Sequence, residues 1–264
     1  MLRRLEAVVN VDQPIEWIVS ESENGGTVFR WGYSGLDLVA EWEGLVTLRA
    51  TRDGELKAIR YVPGIPEDLI NKTRQGSVAA FLRAQRQLHT MHACAVSLEG
   101  RALMCVGASG MGKSTMAERL CSYPGVELLA DDMAAIELLP GSGAQVRPSE
   151  SAVWLATDGS EAKEPVKSTR MAARPGVLQG IVSLVFNDAS SQLELLELRG
   201  ADAVSALLPS FVRFERSAAL WTREFDFVAH LVSHSKILRA IRSREIAAET
   251  VAEALLRFLA GEPQ

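Results

Sequence analysis

An α/β fold preceded by a small β-rich unit is what this 264-residue chain predicts. Three observations carry that prediction. Over residues 102–130 a strand-like run, a glycine-rich loop, a helix-forming stretch and a second apolar run follow one another, the order of an α/β core. Residues 1–70 instead hold short β-branched and aromatic runs separated by glycine-containing turns. From Asp202 onward the composition turns helical.

Each element follows from local pattern. Thr27–Tyr33, Leu36–Trp42, Leu45–Thr51 and Glu55–Tyr61 are predicted strands of an antiparallel sheet. Gly25-Gly26, Ser34-Gly35, Glu43-Gly44 and Asp53-Gly54 mark the turns between them. Pro63-Gly64-Ile65-Pro66 breaks the pattern, so the β-rich subdomain is expected over 1–70 and the larger domain over 71–264. Residues 67–88 read as helix. His92–Leu98 and Ala102–Val106 read as strands joined by a hairpin turn at Glu99-Gly100. Thr115–Cys121 continues as helix, and Val126–Ala130 is a buried strand, expected to run parallel beside the strand before the glycine loop. Pro140–Gly143 and Thr157–Pro165 look like loops, and Ile181–Phe186 and Leu193–Leu198 like strands. Three helices are expected at the end: Ala203–Leu208, Phe225–Arg242 and Arg244–Leu259, with Ser243 capping the last. Phe225–Leu259 could supply an interface for a homo-oligomer as easily as a core.

Composition bounds the function. A net charge of -5 gives no global attraction for nucleic acid or anionic lipid, so neither nucleic acid nor membrane is an expected partner. No stretch approaches the ~18 consecutive apolar residues of a membrane helix. The first residues, MLRRLEAVVNVDQPIEW, have no sustained apolar run and do not read as a signal peptide. Cys94, Cys105 and Cys121 have neither zinc spacing nor disulfide density, and Cys105 reads as a small core residue. The expected compartment is the cytoplasm.

The strongest signal is Gly107-Ala108-Ser109-Gly110-Met111-Gly112-Lys113-Ser114, followed by Thr115, which satisfies G-x-x-x-x-G-K-[ST]. Glycines let successive backbone N–H groups point at phosphate oxygens. The helix that follows turns its positive end to the same anion. Lys113 can reach the β- and γ-phosphates of a nucleotide, and the Ser114 hydroxyl can hold Mg²⁺. ATP and Mg²⁺ are therefore the expected ligands.

Leu128-Leu129-Ala130-Asp131-Asp132 sets two carboxylates at a strand end. One can complete a Mg²⁺ shell and the other can accept the proton of an attacking hydroxyl; either could instead cap the next turn. His92 alone could equally be a satisfied, half-buried histidine. His230 and His234 lie four apart on an expected helix and could bind a metal, but without a third ligand or an H-E-x-x-H pattern a surface or packing role is their reading.

Taken together, Met91-His92-Ala-Cys-Ala-Val, Gly107–Thr115 and Leu129-Ala-Asp131-Asp132 resemble the HPr kinase/phosphorylase superfamily, whose phosphate site is shared with ATP-dependent phosphoenolpyruvate carboxykinases. The resemblance covers about residues 85–200 and implies that fold for the core. It implies Lys113 as the phosphate-binding lysine, Ser114 as the metal-binding hydroxyl and Asp131 as general base toward an acceptor serine. It also implies Asp132 as the metal-side carboxylate and His92 as a histidine at the γ-phosphate or metal. The overall plan resembles the short HPr-kinase-like proteins more than the long HPr kinases; among the short ones are kinases that phosphorylate the C-terminal serine of lasso-peptide precursors. A serine-containing peptide or protein is then the implied partner. Lys167-Ser-Thr-Arg170 with Arg174 forms a basic cluster that could clamp phosphate or a carboxylate, or lie solvated in a loop. Three functions stay open at this stage: a serine kinase, a kinase of small-molecule hydroxyls, and a nucleotide-gated binding module without transfer.

Overall fold

The computed structural model describes residues 14–23, 26–149, 152–156, 163–166 and 170–261. They form a mixed α/β protein of two compact units.

The first unit runs to Leu88 and takes in Arg213–Glu215. Five strands, β1 (Glu16–Glu23), β2 (Gly26–Ser34), β3 (Asp37–Trp42), β4 (Val46–Ala50) and β5 (Leu56–Tyr61), make an antiparallel meander in chain order. The first of these strands has no counterpart among the sequence-predicted ones. Alternate residues point inward: Phe29 and Trp31 on β2, Leu38 and Ala40 on β3, Val46, Leu48 and Ala50 on β4. They are covered by a helical segment, α1 (Glu67–Thr73) and α2 (Ala79–Gln85), joined through a π-helical turn at Arg74–Val78. Val78 and Phe81 from that segment enter the same core, where Phe81 meets Phe29 and Phe214 edge-on. The Trp31 indole N–H donates to the Phe214 carbonyl at 2.8 Å.

The second unit is built on an eight-stranded sheet. Its strands are β6 (His89–Leu98), β7 (Arg101–Val106), β8 (Val126–Ala130), β9 (Met133–Leu138), β10 (Ala144–Arg147), β13 (Gly176–Phe186), β14 (Glu194–Leu198) and β15 (Lys236–Arg242). A separate hairpin pairs β11 (Val153–Ala156) with β12 (Lys163–Val166). The order across the large sheet is β10-β9-β6-β7-β13-β15-β14, with β8 sharing the outer edge of β6 with β9. β7, β13 and β15 are parallel; β6 and β14 flank them antiparallel. The β6–β7 hairpin turns at Glu99 and Gly100, both at positive φ as a two-residue type I′ turn requires.

Helices cover both faces. α3 (Lys113–Cys121) and α6 (Ala248–Ala260) pack on one, α4 (Gly200–Leu207) and α5 (Ala218–His234) on the other. The period of two in the strands makes this possible. On β7, Leu103 and Cys105 face α3 and α6, while Ala102, Met104 and Val106 face the α4 and α5 side. Cys105 is thus the core residue its sequence context predicts.

Four expectations are corrected. Residues 236–242, read as the end of a long helix, are the parallel strand β15. The helix stops at His234 because Ser235 is extended, at φ -131° and ψ 150°. A strand buried on both faces has no alternating pattern, so Lys-Ile-Leu-Arg-Ala-Ile-Arg reads as helix from the sequence. Ser243 consequently caps no helix; Ala247 occupies the position before α6, and Ser243 is buried. β8 does not lie beside β7. The antiparallel β6 stands between them, although β8 still points the same way as β7. Of the loop expected at Thr157–Pro165, Lys163–Pro165 belong to β12, and 157–162 lie outside the described residues.

Candidate active site

The sheet brings several chain segments to one edge. Val106 at the end of β7 is level with Ser183 of β13, and Phe186 at the end of β13 with Arg242 of β15. β6 runs the opposite way, so its early residues reach the same edge: Ala93 opposes Val106, and His92 precedes it. β8 reverses again, placing Asp131 and Asp132 there. In α/β sheets this edge, beyond the carboxyl ends of the parallel strands, is where ligands bind.

The glycine loop joins β7 to α3 at this edge. Gly107, Gly110 and Gly112 have φ of 152°, 82° and 85°, so the loop depends on residues without a Cβ. A Cβ at Gly107 would also come within 3.0 Å of the Leu184 carbonyl oxygen. Ala108, Ser109 and Gly110 are exposed, Met111, Gly112, Ser114 and Thr115 half-buried. The first helical bond of α3 runs from the Met116 N–H to the Gly112 carbonyl at 2.8 Å. Lys113 is only 7% exposed, and its ammonium donates to the carbonyls of Gly107 at 2.8 Å and Ala108 at 3.1 Å. The lysine therefore spans its own loop, its charge solvated by backbone oxygens.

The two aspartates stand in different environments. Asp131 is 2% exposed, and one of its oxygens accepts the Trp154 backbone N–H at 2.8 Å. Asp132 is partly open, with 32% side-chain exposure, and its carboxylate lies 3.0 Å from Nδ1 of His92, itself 38% exposed. The Asp132 carbonyl also accepts the Ala93 N–H at 3.1 Å, which ties this turn to β6. Cys94 follows on β6, fully buried, and its hydrogen bond to Cys105, then burial itself, push its thiol pKa upward.

A cavity of about 520 Å³ opens over the loop, lined by His92, Gly107, Ser109, Ser183, Ala206 and Ser210 among others. Sequence reasoning missed Ser183 and Ser210; nothing in their local pattern marks them. It missed Arg242 as well, because a strand taken for helix hides its end. The Arg242 guanidinium is half-buried, donates to the Ile246 carbonyl at 2.8 Å and lies 4.6 Å from the centre of the Phe186 ring.

The remaining candidates fall elsewhere. His230 and His234 stack at 4.1 Å, and His230 Nε2 sits 3.0 Å from the Gly143 carbonyl, a packing arrangement. Of the basic cluster, 167–169 lie outside the described residues; Arg170 and Arg174 are exposed. No three His, Cys, Asp or Glu side chains among the described residues group to hold a metal by themselves. The oxygen donors present, the Ser114 hydroxyl and the partly open Asp132 carboxylate, suit a hard cation that shares its shell with phosphate and water. Among the described residues no helix is long and apolar enough to cross a membrane.

No protein-family model matches this sequence, and no curated protein matches it. Among solved structures, the HPr(Ser) kinase/phosphatase from Coxiella burnetii is similar to it with a TM-score of 0.36 and 12% identity, over 64% of this chain and 94% of that one.

Proposed function

We propose that this chain is an ATP-dependent kinase that transfers the γ-phosphoryl group to a serine hydroxyl of a peptide or protein. One observation carries the reading: a partly open His92–Asp132 pair at 3.0 Å shares a sheet edge with a glycine loop anchored by Lys113. A phosphate-binding loop alone fits any nucleotide-binding protein. A carboxylate held by an imidazole beside it fits the removal of a proton from an acceptor alcohol. The loop amides, Lys113 and the start of α3 would bind the phosphates and offset the charge that builds on them during transfer. Mg²⁺, held by the Ser114 hydroxyl together with phosphate and water oxygens, would supply further positive charge to the same oxygens.

Exposure decides how the two aspartates divide the work. Asp132 can meet an acceptor, so we assign the proton-accepting role to it, with His92 fixing its orientation. Asp131, enclosed and bonded to the Trp154 N–H, positions the β8–β9 turn. This moves the base role from Asp131, where the family resemblance puts it, to Asp132, and leaves Ser114 as the side-chain ligand of the cation. The proposed acceptor is a serine in a peptide, with a lasso-peptide precursor as one case, and the cavity beside His92 is where it would enter.

The burial of Asp131 also favours a second reading, a nucleotide-gated binding module in which that carboxylate is structural. Incubation with Mg·ATP and a library of serine peptides separates the two. The kinase reading expects a gain of one phosphate on serine. Tight ATP binding without transfer to any peptide would leave the binding module standing and the kinase reading rejected.

A further inference from the structure

We infer that Arg242 is a phosphate contact for the nucleotide, held ready by Phe186 and the Ile246 carbonyl; the inference rests on the proposed nucleotide site. The guanidinium is fixed from two sides. One nitrogen, Nη1, donates to the Ile246 carbonyl at 2.8 Å, and the plane lies 4.6 Å from the Phe186 ring centre. The other terminal nitrogen, Nη2, faces the glycine loop: a Cβ placed on Gly112 would come 3.3 Å from it. A larger residue at that position would push the guanidinium away.

The electrostatics of this placement call for an anion. Gly112 immediately precedes α3, whose first turn carries the positive end of the helix dipole. Lys113 follows it. A third cation beside these is repulsive unless negative charge is shared among them. Among the described residues no carboxylate lies within ion-pair distance of Arg242. Burial lowers its pKa, the mark of a guanidinium taken from water without a carboxylate in exchange. Arg244 supplies the contrast. It lies 4.6 Å from the same ring, is exposed, and has Asp188 at 3.7 Å. Two arginines thus share one aromatic ring; the one beside the loop is held without an acid, and the one facing solvent has one. A forked donor of this kind suits two phosphate oxygens at once.

Binding of ADP by calorimetry tests the idea, with inorganic pyrophosphate as competitor. Arg242→Ala is expected to weaken ADP about tenfold or more, and pyrophosphate by the same factor, since both lose a charge-assisted contact. Arg242→Lys should recover part of the loss. Arg244→Ala should leave both affinities within about twofold of the parent, because its charge is already offset. Folding of each variant is checked by circular dichroism, and the lysine variant decides the matter if the alanine variant does not fold. If the parent binds ADP, Lys113→Ala abolishes binding and Arg242→Ala changes nothing, this inference fails while the nucleotide site stands. A loss for ADP with pyrophosphate unchanged would move Arg242 to the nucleoside and overturn it too. If the parent protein binds neither ligand, the site and the inference fall together.

Discussion

At the scale of single residues, neighbours in sequence have opposite surroundings, and the chemistry follows the surroundings. Asp131 and Asp132 are adjacent, yet one is enclosed and the other partly open beside His92. Asp132→Asn is therefore expected to lower the transfer rate by about a hundredfold or more with ADP affinity little changed, the signature of a lost general base. Asp131→Asn should keep an acceptor for the Trp154 N–H and lose less. Steady-state kinetics of the two variants on one peptide decide the assignment; the reverse ranking would return the base role to Asp131. His89 gives a separate test in which pH reads burial. Its ring packs against Phe211 and Phe227, and burial, assisted by the charge of Arg223, pushes its pKa down to about 4. In the unfolded chain it titrates near ~6.5. Between these values the unfolded state binds a proton that the folded state refuses, so stability falls as pH drops from about 6.5 to about 4. His89→Phe should flatten that part of a plot of Tm against pH. An unchanged slope would mean the ring is not buried in its neutral form.

At the scale of elements, what could be read from the sequence depended on how many faces an element buries. In β2 and β4 of the first unit the inward residues recur at every second position, Phe29 and Trp31 on one and Val46, Leu48 and Ala50 on the other, and turn residues bound each run, so four of the five strands were legible. The glycine loop was legible because its chemistry fixes residue types at fixed spacing. β15 was not, since Ile237, Leu238 and Ala240 are buried from both sides and their spacing also fits a helix. That misreading concealed Arg242, whose significance depends on standing at a strand end. Nor could adjacency say which aspartate is enclosed, because the Trp154 N–H that holds Asp131 comes from another hairpin. The contact of β13 and β15 with α6 can be tested directly. Gly180 lies on β13, where a Cβ would come 2.7 Å from the Phe258 ring and 3.1 Å from the Lys236 carbonyl oxygen. Gly180→Ala must displace the ring or the strand, at a cost of about 1–3 kcal/mol. Urea denaturation measures it, and an unaffected midpoint would show that α6 yields freely there.

At the scale of the whole molecule, the strand order of the second unit brings the charged groups of the candidate site to one edge of the eight-stranded sheet. Lys113, the start of α3 and Arg242 put positive charge there, while Asp131 and Asp132 put negative charge within a short distance along the same edge. Such an edge is costly to maintain without a ligand that carries both phosphate and cation, and that cost should appear as linkage. A ligand that binds only the folded chain stabilises it by about 2.7 kcal/mol at a hundred times its Kd. Mg·ADP should therefore raise Tm progressively with concentration, and Lys113→Ala should remove most of the rise. Hydrogen exchange locates the effect. Added protection is expected at Gly107–Ser114, around Asp131–Met133 and at the end of β15, three segments far apart in sequence and joined only by the strand order of the sheet. Protection confined to the loop would mean that the loop binds phosphate without the rest of the edge, and the kinase reading would then lose its structural basis.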